Sequence, residues 1–154
     1  KTVNTLGKPV SLFNSNKKQY GWERSGDYND KEANPWIEGA WMTKYGGKYY
    51  LQYAAPGTEF KSYCDGVYVS DRPLGPFQPA NHNPFSAKPE GFIAGAGHSS
   101  TFQDIYGNYW HIATMTISQK HMFERRLGLF PTFFDNDGVL YTYPGFGDFP
   151  LKVP

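Results

Sequence analysis

The sequence predicts an all-β fold with little or no helix. Runs of aromatic and β-branched residues lie on either side of Gly46-Gly47, which is typical of two strands joined by a tight turn. The same arrangement recurs around Gly107, 60 residues after Gly47. No window of ten or more residues shows a convincing helical period of apolar residues. Four-stranded units that repeat in this way indicate a β-propeller, in which each blade packs against its neighbours.

Length and composition restrict the classes of function. The 154 residues suffice for one domain, and the net charge of +1 predicts neither nucleic acid nor a membrane surface as a partner. No apolar run approaches the roughly 20 residues that cross a bilayer. Cys64 is the single cysteine, so no disulfide can form within the chain. The aromatic content of 18% suits either a sugar-binding surface or the core of a β-protein.

The N-terminal part contains one predicted strand and a long connection. Residues 9–13 (PVSLF) form a short apolar run with no local partner. Residues 14–34 are rich in Asn, Asp, Ser and Gly, which favours a loop. Loops of this length are usually functional or disordered, and the tryptophan Trp22 favours a functional loop.

Two repeated units follow, and each is predicted to form a blade. The first contains the hairpin around Gly46-Gly47, a strand over residues 66–70 and a turn over residues 71–77. A crossing rich in Pro and Asn over residues 81–92 leads to the second unit. This unit continues through strands at 115–118 and 125–130. A last hairpin signal over residues 133–141 is predicted to open a third unit.

The two hairpins place two chemically useful side chains in equivalent positions. Aligning Gly47 with Gly107 puts Glu38 on His98. Equivalent positions in neighbouring blades lie at the same end of the propeller, where connecting loops build binding sites. We therefore expect the carboxylate and the imidazole to converge on one central cavity.

Three segments resemble glycoside hydrolases of family 43. Residues 38–51 (EGAWMTKYGGKYYL) are similar to the segment that carries the general acid in that family. Residues 66–77 (GVYVSDRPLGPF) resemble the strand and turn that end the same blade. Residues 95–100 (GAGHSS) resemble a third family segment, with Ala96 where proline is commoner. The three matches occur in the family's order and together span residues 35–140.

The resemblance implies a partial five-bladed β-propeller of about two and a half to three blades. Its predicted parts are the end of blade two with the long connection (residues 1–33), blade three (34–80), blade four (92–131) and the start of blade five (132–154).

The resemblance also implies roles for two residues. Glu38 would be the general acid that protonates the departing glycosidic oxygen, which requires a carboxyl group that holds its proton. His98 would lie near the propeller axis and bind a calcium or sodium ion, although such hard cations prefer oxygen ligands. The alternatives are a solvated loop acid at Glu38 and a hydrogen-bonded structural histidine at His98.

Aromatic and basic residues complete the predicted site. Trp36, Trp41 and Trp22 are candidates for stacking on sugar rings, and each is also a candidate for the core. Arg125 and Arg126 are candidates for binding sugar hydroxyl groups or a carboxylate. Because adjacent strand residues face opposite sides, only one of the two arginines can reach the axis.

One element of the family's catalytic set is missing from its expected place. Inverting glycosidases need a second carboxylate that activates water. By the resemblance, this base lies in a blade that would precede Lys1, and no aspartate of this chain has the expected context. We therefore expect the chain alone to be inactive and to be completed by another chain or by an N-terminal part.

The sequence leaves three functional hypotheses. The first is an inverting family 43 glycoside hydrolase, or a fragment of one, acting on glycans that contain arabinose or xylose. The second is a carbohydrate-binding or assembly module without complete catalytic machinery. The third is a different β-repeat protein that binds protein partners through its loops. The resemblance implies a secreted or periplasmic location, although no signal-peptide pattern is predicted within residues 1–154.

Overall fold

The computed structural model describes residues 4–117, 121 and 123–148, and almost all of its regular structure is β-strand. The first sheet consists of β1 (Glu38–Tyr45), β2 (Lys48–Ala55), β3 (Cys64–Ser70) and β4 (Gln78–Pro79). The second consists of β5 (Ala94–Gln103), β6 (Tyr109–Thr116), β7 (Arg125–Phe134) and β8 (Leu140–Thr142). The described helical segments are two short 3-10 helices, Gly21–Glu23 and Pro144–Asp148. The predicted all-β fold is confirmed.

Each sheet is an antiparallel meander whose strands follow chain order, as in a propeller blade. Tyr45 pairs with Lys48 across a turn in which Gly46 and Gly47 have φ values of 54° and 81°. These left-handed values explain the two glycines. The second hairpin pairs Gln103 with Tyr109. Both hairpins therefore lie where the sequence predicts them.

The inner faces of the two sheets pack together through apolar and polar contacts. Tyr50 and Leu140, from different sheets, belong to one buried cluster and are 2% and 1% exposed. The Tyr50 hydroxyl donates to the carbonyl oxygen of Gly138 at 2.6 Å, and the Gln52 amide donates to Ser99 Oγ at 3.1 Å. These bonds satisfy polar groups that lose water when the blades pack together. They fix the position of one blade against the other.

The outer face of the first sheet is covered by the N-terminal segment. Phe13 stacks on Tyr68 with ring centroids 4.1 Å apart, and Trp22 packs on Tyr53 at 5.7 Å. The strand predicted over residues 9–13 is wrong, because this segment pairs with no strand and contributes the Phe13 ring instead. The long connection predicted over residues 14–34 is confirmed.

The last hairpin belongs to the second sheet and does not open a third unit. Strand β7 crosses the predicted boundary at residue 132, and its second half pairs with β8, including Phe133 with Tyr141. The start of blade five predicted at residue 132 is therefore wrong for the described residues. The sequence does not predict that β7 continues past residue 130, because Pro131 lacks the N–H group that a central strand residue normally donates. The described part of the chain thus contains two complete four-stranded blades.

Parts of the predicted elements lie outside the described residues. These are residues 1–3 and 149–154 of the domain and Ser118 of the strand predicted over 115–118. In the part of the chain that the structure describes, no helix is long and apolar enough to cross a membrane.

Candidate active site

The first strand of each sheet is irregular near its start. The pairing of β1 with β2 shifts register between Glu38 and Trp41, and that of β5 with β6 shifts between Gly95 and Ser100. Bulges redirect side chains and are enriched beside active sites. Glu38 and His98 lie in these two irregular stretches, so the repeated unit positions both side chains in the same way.

Glu38 and His98 meet between the two sheets, as the alignment of the hairpins predicts. Glu38 Oε1 lies 3.9 Å from His98 Nδ1, and the two side chains are 39% and 56% exposed. Gly39 permits this approach, because a Cβ there would lie 2.9 Å from the His98 ring. The carboxylate and the imidazole therefore lie side by side at one solvent-accessible place between the sheets.

Glu38 also has a buried hydrogen-bond partner. The hydroxyl of Tyr63 donates to Glu38 Oε1 at 2.7 Å, and Tyr63 is only 2% exposed. Burial, together with the hydrogen bond to Glu38, raises the pKa of Tyr63 far above its ordinary value, so the phenol stays protonated as a donor. Sequence reasoning missed Tyr63, because it lies in a loop 25 residues after Glu38.

An open cleft of about 520 Å³ lies beside Glu38. Its walls combine two aromatic rings with two carboxylates and a hydroxyl: Trp36, Phe123, Glu38, Glu59 and Thr58. Trp36 is 68% exposed, and such a ring can stack on the apolar face of a sugar. Trp36 is thus the predicted tryptophan that lies beside the predicted acid.

The two adjacent arginines separate as strand geometry requires. Arg125 Nη1 donates to Thr58 Oγ1 at 2.9 Å, and its guanidinium lies 5.4 Å from the centre of the Phe123 ring. Arg126 instead lies 3.7 Å from Glu124 Oε1 and donates to the carbonyl oxygen of Arg125. Arg125 therefore touches the cleft wall, whereas the described contacts of Arg126 lie elsewhere.

Two of the candidate tryptophans have structural contacts instead of a place in the cleft. Trp41 Nε1 donates to the carbonyl oxygen of Thr101 at 2.9 Å and so joins the two sheets. Trp22 packs against Tyr53, and a Cβ at Gly66 would lie 2.5 Å from its ring. Neither indole lines the cleft beside Glu38, and a role of Trp41 and Trp22 in sugar binding stays a prediction.

The backbone of His98 is hydrogen-bonded to a buried polar cluster. Asp65 is 1% exposed, and its Oδ1 accepts the backbone N–H of His98 at 2.9 Å. This bond holds His98 at a φ of 52°, in the left-handed region. Burial raises the pKa of Asp65 to about 8. Asp65 lies just before the strand predicted over residues 66–70, and the sequence does not reveal its partners.

A buried histidine, His111, belongs to the same cluster. His111 Nε2 lies 3.7 Å from Asp65 Oδ2 and 3.0 Å from Ser86 Oγ, and Nδ1 lies 3.2 Å from Thr101 Oγ1. Burial lowers the pKa of His111 to about 3, so the imidazole is neutral. His111 therefore packs inside the protein with two hydrogen bonds, to Ser86 and to Thr101.

The described residues do not assemble a metal centre. Among them, no group of three or more His, Cys, Asp or Glu side chains could hold an ion. His98 and Glu38 supply one nitrogen and one carboxylate, fewer than the six to eight oxygens that calcium prefers. The calcium or sodium ion at His98 stays a prediction, and no chemical step below depends on it.

Comparison with known proteins adds independent information. The family model described as glycosyl hydrolases family 43 matches residues 7–140. The β-D-galactofuranosidase xynD of Aspergillus niger is 32% identical over 92 residues, covering 53% of this chain and 25% of that protein.

Solved structures with the same architecture include two bacterial proteins. An endo-1,4-β-xylanase from Bacteroides thetaiotaomicron is 28% identical, with a TM-score of 0.64 over 70% of this chain and 38% of that one. The family 43 protein BlXynB from Bacillus licheniformis has 22% identity and a TM-score of 0.69 over 89% of this chain and 24% of that one. This chain therefore spans well under half the length of these relatives.

Proposed function

The chain belongs to the glycosyl hydrolases of family 43, and from this premise we propose that it carries the general-acid side of an inverting glycosidase site. The observation that carries the proposal is the position of Glu38, which lies beside His98 and in the wall of an aromatic cleft. Xylan- and arabinan-type glycans are the proposed substrates.

The proposed acid is Glu38. Its proton passes to the glycosidic oxygen, which takes the bonding electron pair of the C–O bond as that bond breaks. Water adds to the anomeric carbon from the opposite face and gives its proton to a general base. Trp36 supplies a flat apolar surface for the sugar, and Arg125 stands beside Thr58 at the same wall.

The general base is proposed to come from a further part of the propeller. The other acid in the described cleft wall is Glu59, which follows Glu38 in the same blade. An inverting mechanism instead places its two carboxylates on opposite faces of the sugar, about 6.5–9.5 Å apart. Because the chain spans only part of its relatives, further blades in the same protein or in a second chain are proposed to supply the base. The same proposal makes the 154-residue chain inactive by itself.

The proposed substrate indicates the cellular compartment in which the enzyme acts. Polymeric plant glycans do not enter cells, so the proposed enzyme acts in a secreted or periplasmic setting. Detection of the natural protein in culture medium or periplasm supports this, and recovery only from cytoplasm contradicts it.

The test uses the longest natural protein that contains this sequence. Hydrolysis of arabinoxylan and of nitrophenyl arabinosides and xylosides is measured for the wild type, Glu38→Gln and the exposed loop control Glu90→Gln. General acid catalysis contributes typically 10²–10⁴-fold, so Glu38→Gln is expected to lower kcat on arabinoxylan by about that factor. Glu90→Gln is expected to retain wild-type activity.

The outcomes separate the proposed functions. Equal activity of wild type and Glu38→Gln contradicts the role of Glu38. Oligosaccharide binding without any turnover by the wild type favours the carbohydrate-binding module instead. Proton NMR of the first product tests inversion, because an inverting enzyme releases the anomer opposite to that of the substrate.

A further inference from the structure

Tyr63 links the candidate acid to both blades. The residue lies in the loop before β3, and its hydroxyl donates to Glu38 Oε1 at 2.7 Å. Its ring lies against Gly97 in β5, where an added Cβ would come within 2.7 Å of the ring carbons. A side chain packed this tightly cannot change rotamer without displacing its neighbours. The hydroxyl is therefore held in one place, against one oxygen of the carboxyl group.

This contact distinguishes the two oxygens of Glu38. Oε1 accepts from Tyr63 and is also the oxygen 3.9 Å from His98 Nδ1. A proton donor for a glycosidic oxygen needs its acidic hydrogen on the oxygen that faces the substrate. Because Oε1 already accepts a hydrogen bond from the Tyr63 hydroxyl, the acidic proton of Glu38 is placed on Oε2.

The same hydrogen bond also changes during proton transfer. Before the transfer, Tyr63 donates to the carbonyl-like oxygen of a neutral carboxyl group. After the transfer, it donates to a carboxylate, and hydrogen bonds to ionised acceptors are shorter and about twice as strong. An interaction that is stronger late in the reaction lowers the barrier.

We propose that Tyr63 is a positioning residue for Glu38: its hydroxyl directs the acidic proton to Oε2 and stabilises the carboxylate that proton donation leaves behind. The inference rests on the proposed function. Tyr63 transfers no proton itself and does not touch the sugar. The proton moves from Glu38 Oε2 to the glycosidic oxygen, as described above.

The test compares substrates that differ in their need for an acid. A dinitrophenyl glycoside releases a weakly basic phenolate and needs little protonation, whereas a disaccharide of the same sugar releases a strongly basic alkoxide. In the longest natural protein, Tyr63→Phe is expected to lower kcat/KM about 10- to 100-fold on the disaccharide, the range for a hydrogen bond to a charged group. On the dinitrophenyl glycoside the loss is expected to stay below about threefold.

A matched control separates this effect from general damage. Tyr53→Phe removes another buried tyrosine hydroxyl, on strand β2, one that donates to Glu23 and not to Glu38. This variant is expected to keep the wild-type ratio of the two rates. If Tyr63→Phe does not fold, 4-aminophenylalanine at position 63 retains a donor and is expected to retain disaccharide hydrolysis.

The outcomes distinguish this inference from the function on which it rests. A wild type that hydrolyses neither substrate overturns the proposed function. A wild type that hydrolyses both, with Tyr63→Phe affecting the two substrates equally or not at all, overturns the role of Tyr63 alone.

Discussion

At the scale of residues, the proposed site is formed by a few close contacts. Glu38, His98 and Tyr63 come from three separate parts of the chain and meet within hydrogen-bonding or near-contact distance. Sequence comparison of the two hairpins suffices to pair Glu38 with His98, because both follow from one repeated unit. It cannot find Tyr63, since the loop that carries this residue is not repeated in the second blade.

Asp65 gives stability a predictable pH dependence. Its pKa is about 8 in the folded protein against an ordinary value of 3.8, so between these values the unfolded chain releases a proton that the folded protein retains. The free energy of unfolding therefore falls as pH rises through this window. His111, with its folded pKa of about 3, acts in the opposite direction below its ordinary value of 6.5. Between pH 6.5 and 8, only Asp65 of this pair contributes.

Asp65→Asn is expected to remove this dependence. Urea unfolding at pH 6.5 and pH 8 should show a loss of up to about 2 kcal/mol in the wild type that is absent from the variant. The control Asp71→Asn changes an exposed turn residue and should keep the wild-type slope. Identical slopes for wild type and Asp65→Asn would contradict the assignment.

Substitutions at Trp36 and at Trp41 are expected to have different effects: the first should weaken sugar binding, and the second should lower stability. Trp36→Ala removes a mostly exposed ring and should change stability by less than about 0.5 kcal/mol, while weakening xylo-oligosaccharide binding about tenfold or more. Trp41→Phe removes the hydrogen bond to Thr101 and should cost about 1 kcal/mol with little effect on binding. Calorimetric titration and thermal unfolding measure the two quantities. The reverse pattern would place the sugar at Trp41.

At the scale of elements, local turn chemistry was the reliable signal. The hairpin at Gly46-Gly47 needs left-handed backbone angles that glycine supplies, so its position follows from the sequence. The segment 9–13 was predicted wrongly because a strand also needs a hydrogen-bonded partner, which local sequence does not specify. Strand β7 was divided wrongly for the complementary reason, since Pro131 lies inside a strand that tertiary pairing maintains.

The long connection is expected to depend on one buried hydrogen bond. Tyr53 donates from β2 to Glu23 Oε1 at 2.7 Å, and Glu23 is fully buried. Tyr53→Phe removes a donor from this carboxyl group and should cost about 1–3 kcal/mol. Limited proteolysis should cut the variant sooner within residues 14–34, and denaturant unfolding gives the free energy. The control Tyr49→Phe, on the same strand and half-buried, should behave as the wild type. Equal cleavage of the two variants would contradict the role of the Tyr53–Glu23 hydrogen bond in holding the connection.

At the scale of the whole molecule, the second sheet has apolar residues on both faces. Gly128, Phe130 and Thr132 are buried toward the first sheet, while the alternate residues Leu127 and Phe133 are 76% and 50% exposed. A row of side chains crosses this outer face through paired positions of three strands: Phe102, Trp110 and Pro131. Such a face is typical of a blade that packs against a further blade on each side.

This outer face is expected to make the isolated 154-residue chain self-associate. The double variant Leu127→Lys with Phe133→Lys adds charge to the exposed face and should shift the particle toward a monomer. The control Lys18→Glu changes an exposed residue of the N-terminal connection and should leave association unchanged. Sedimentation analysis gives the mass of the particle. A monodisperse wild-type monomer would contradict the prediction that this face drives self-association.

The most direct measurement is a crystal structure of the Glu38→Gln variant with a bound xylo- or arabino-oligosaccharide. A sugar ring should stack on Trp36, with a glycosidic oxygen about 3 Å from the side chain at position 38. An oligosaccharide bound on the Phe102–Trp110 face, or in the cleft with no glycosidic oxygen near position 38, would contradict the proposal that this cleft is where the glycosidic bond is cleaved.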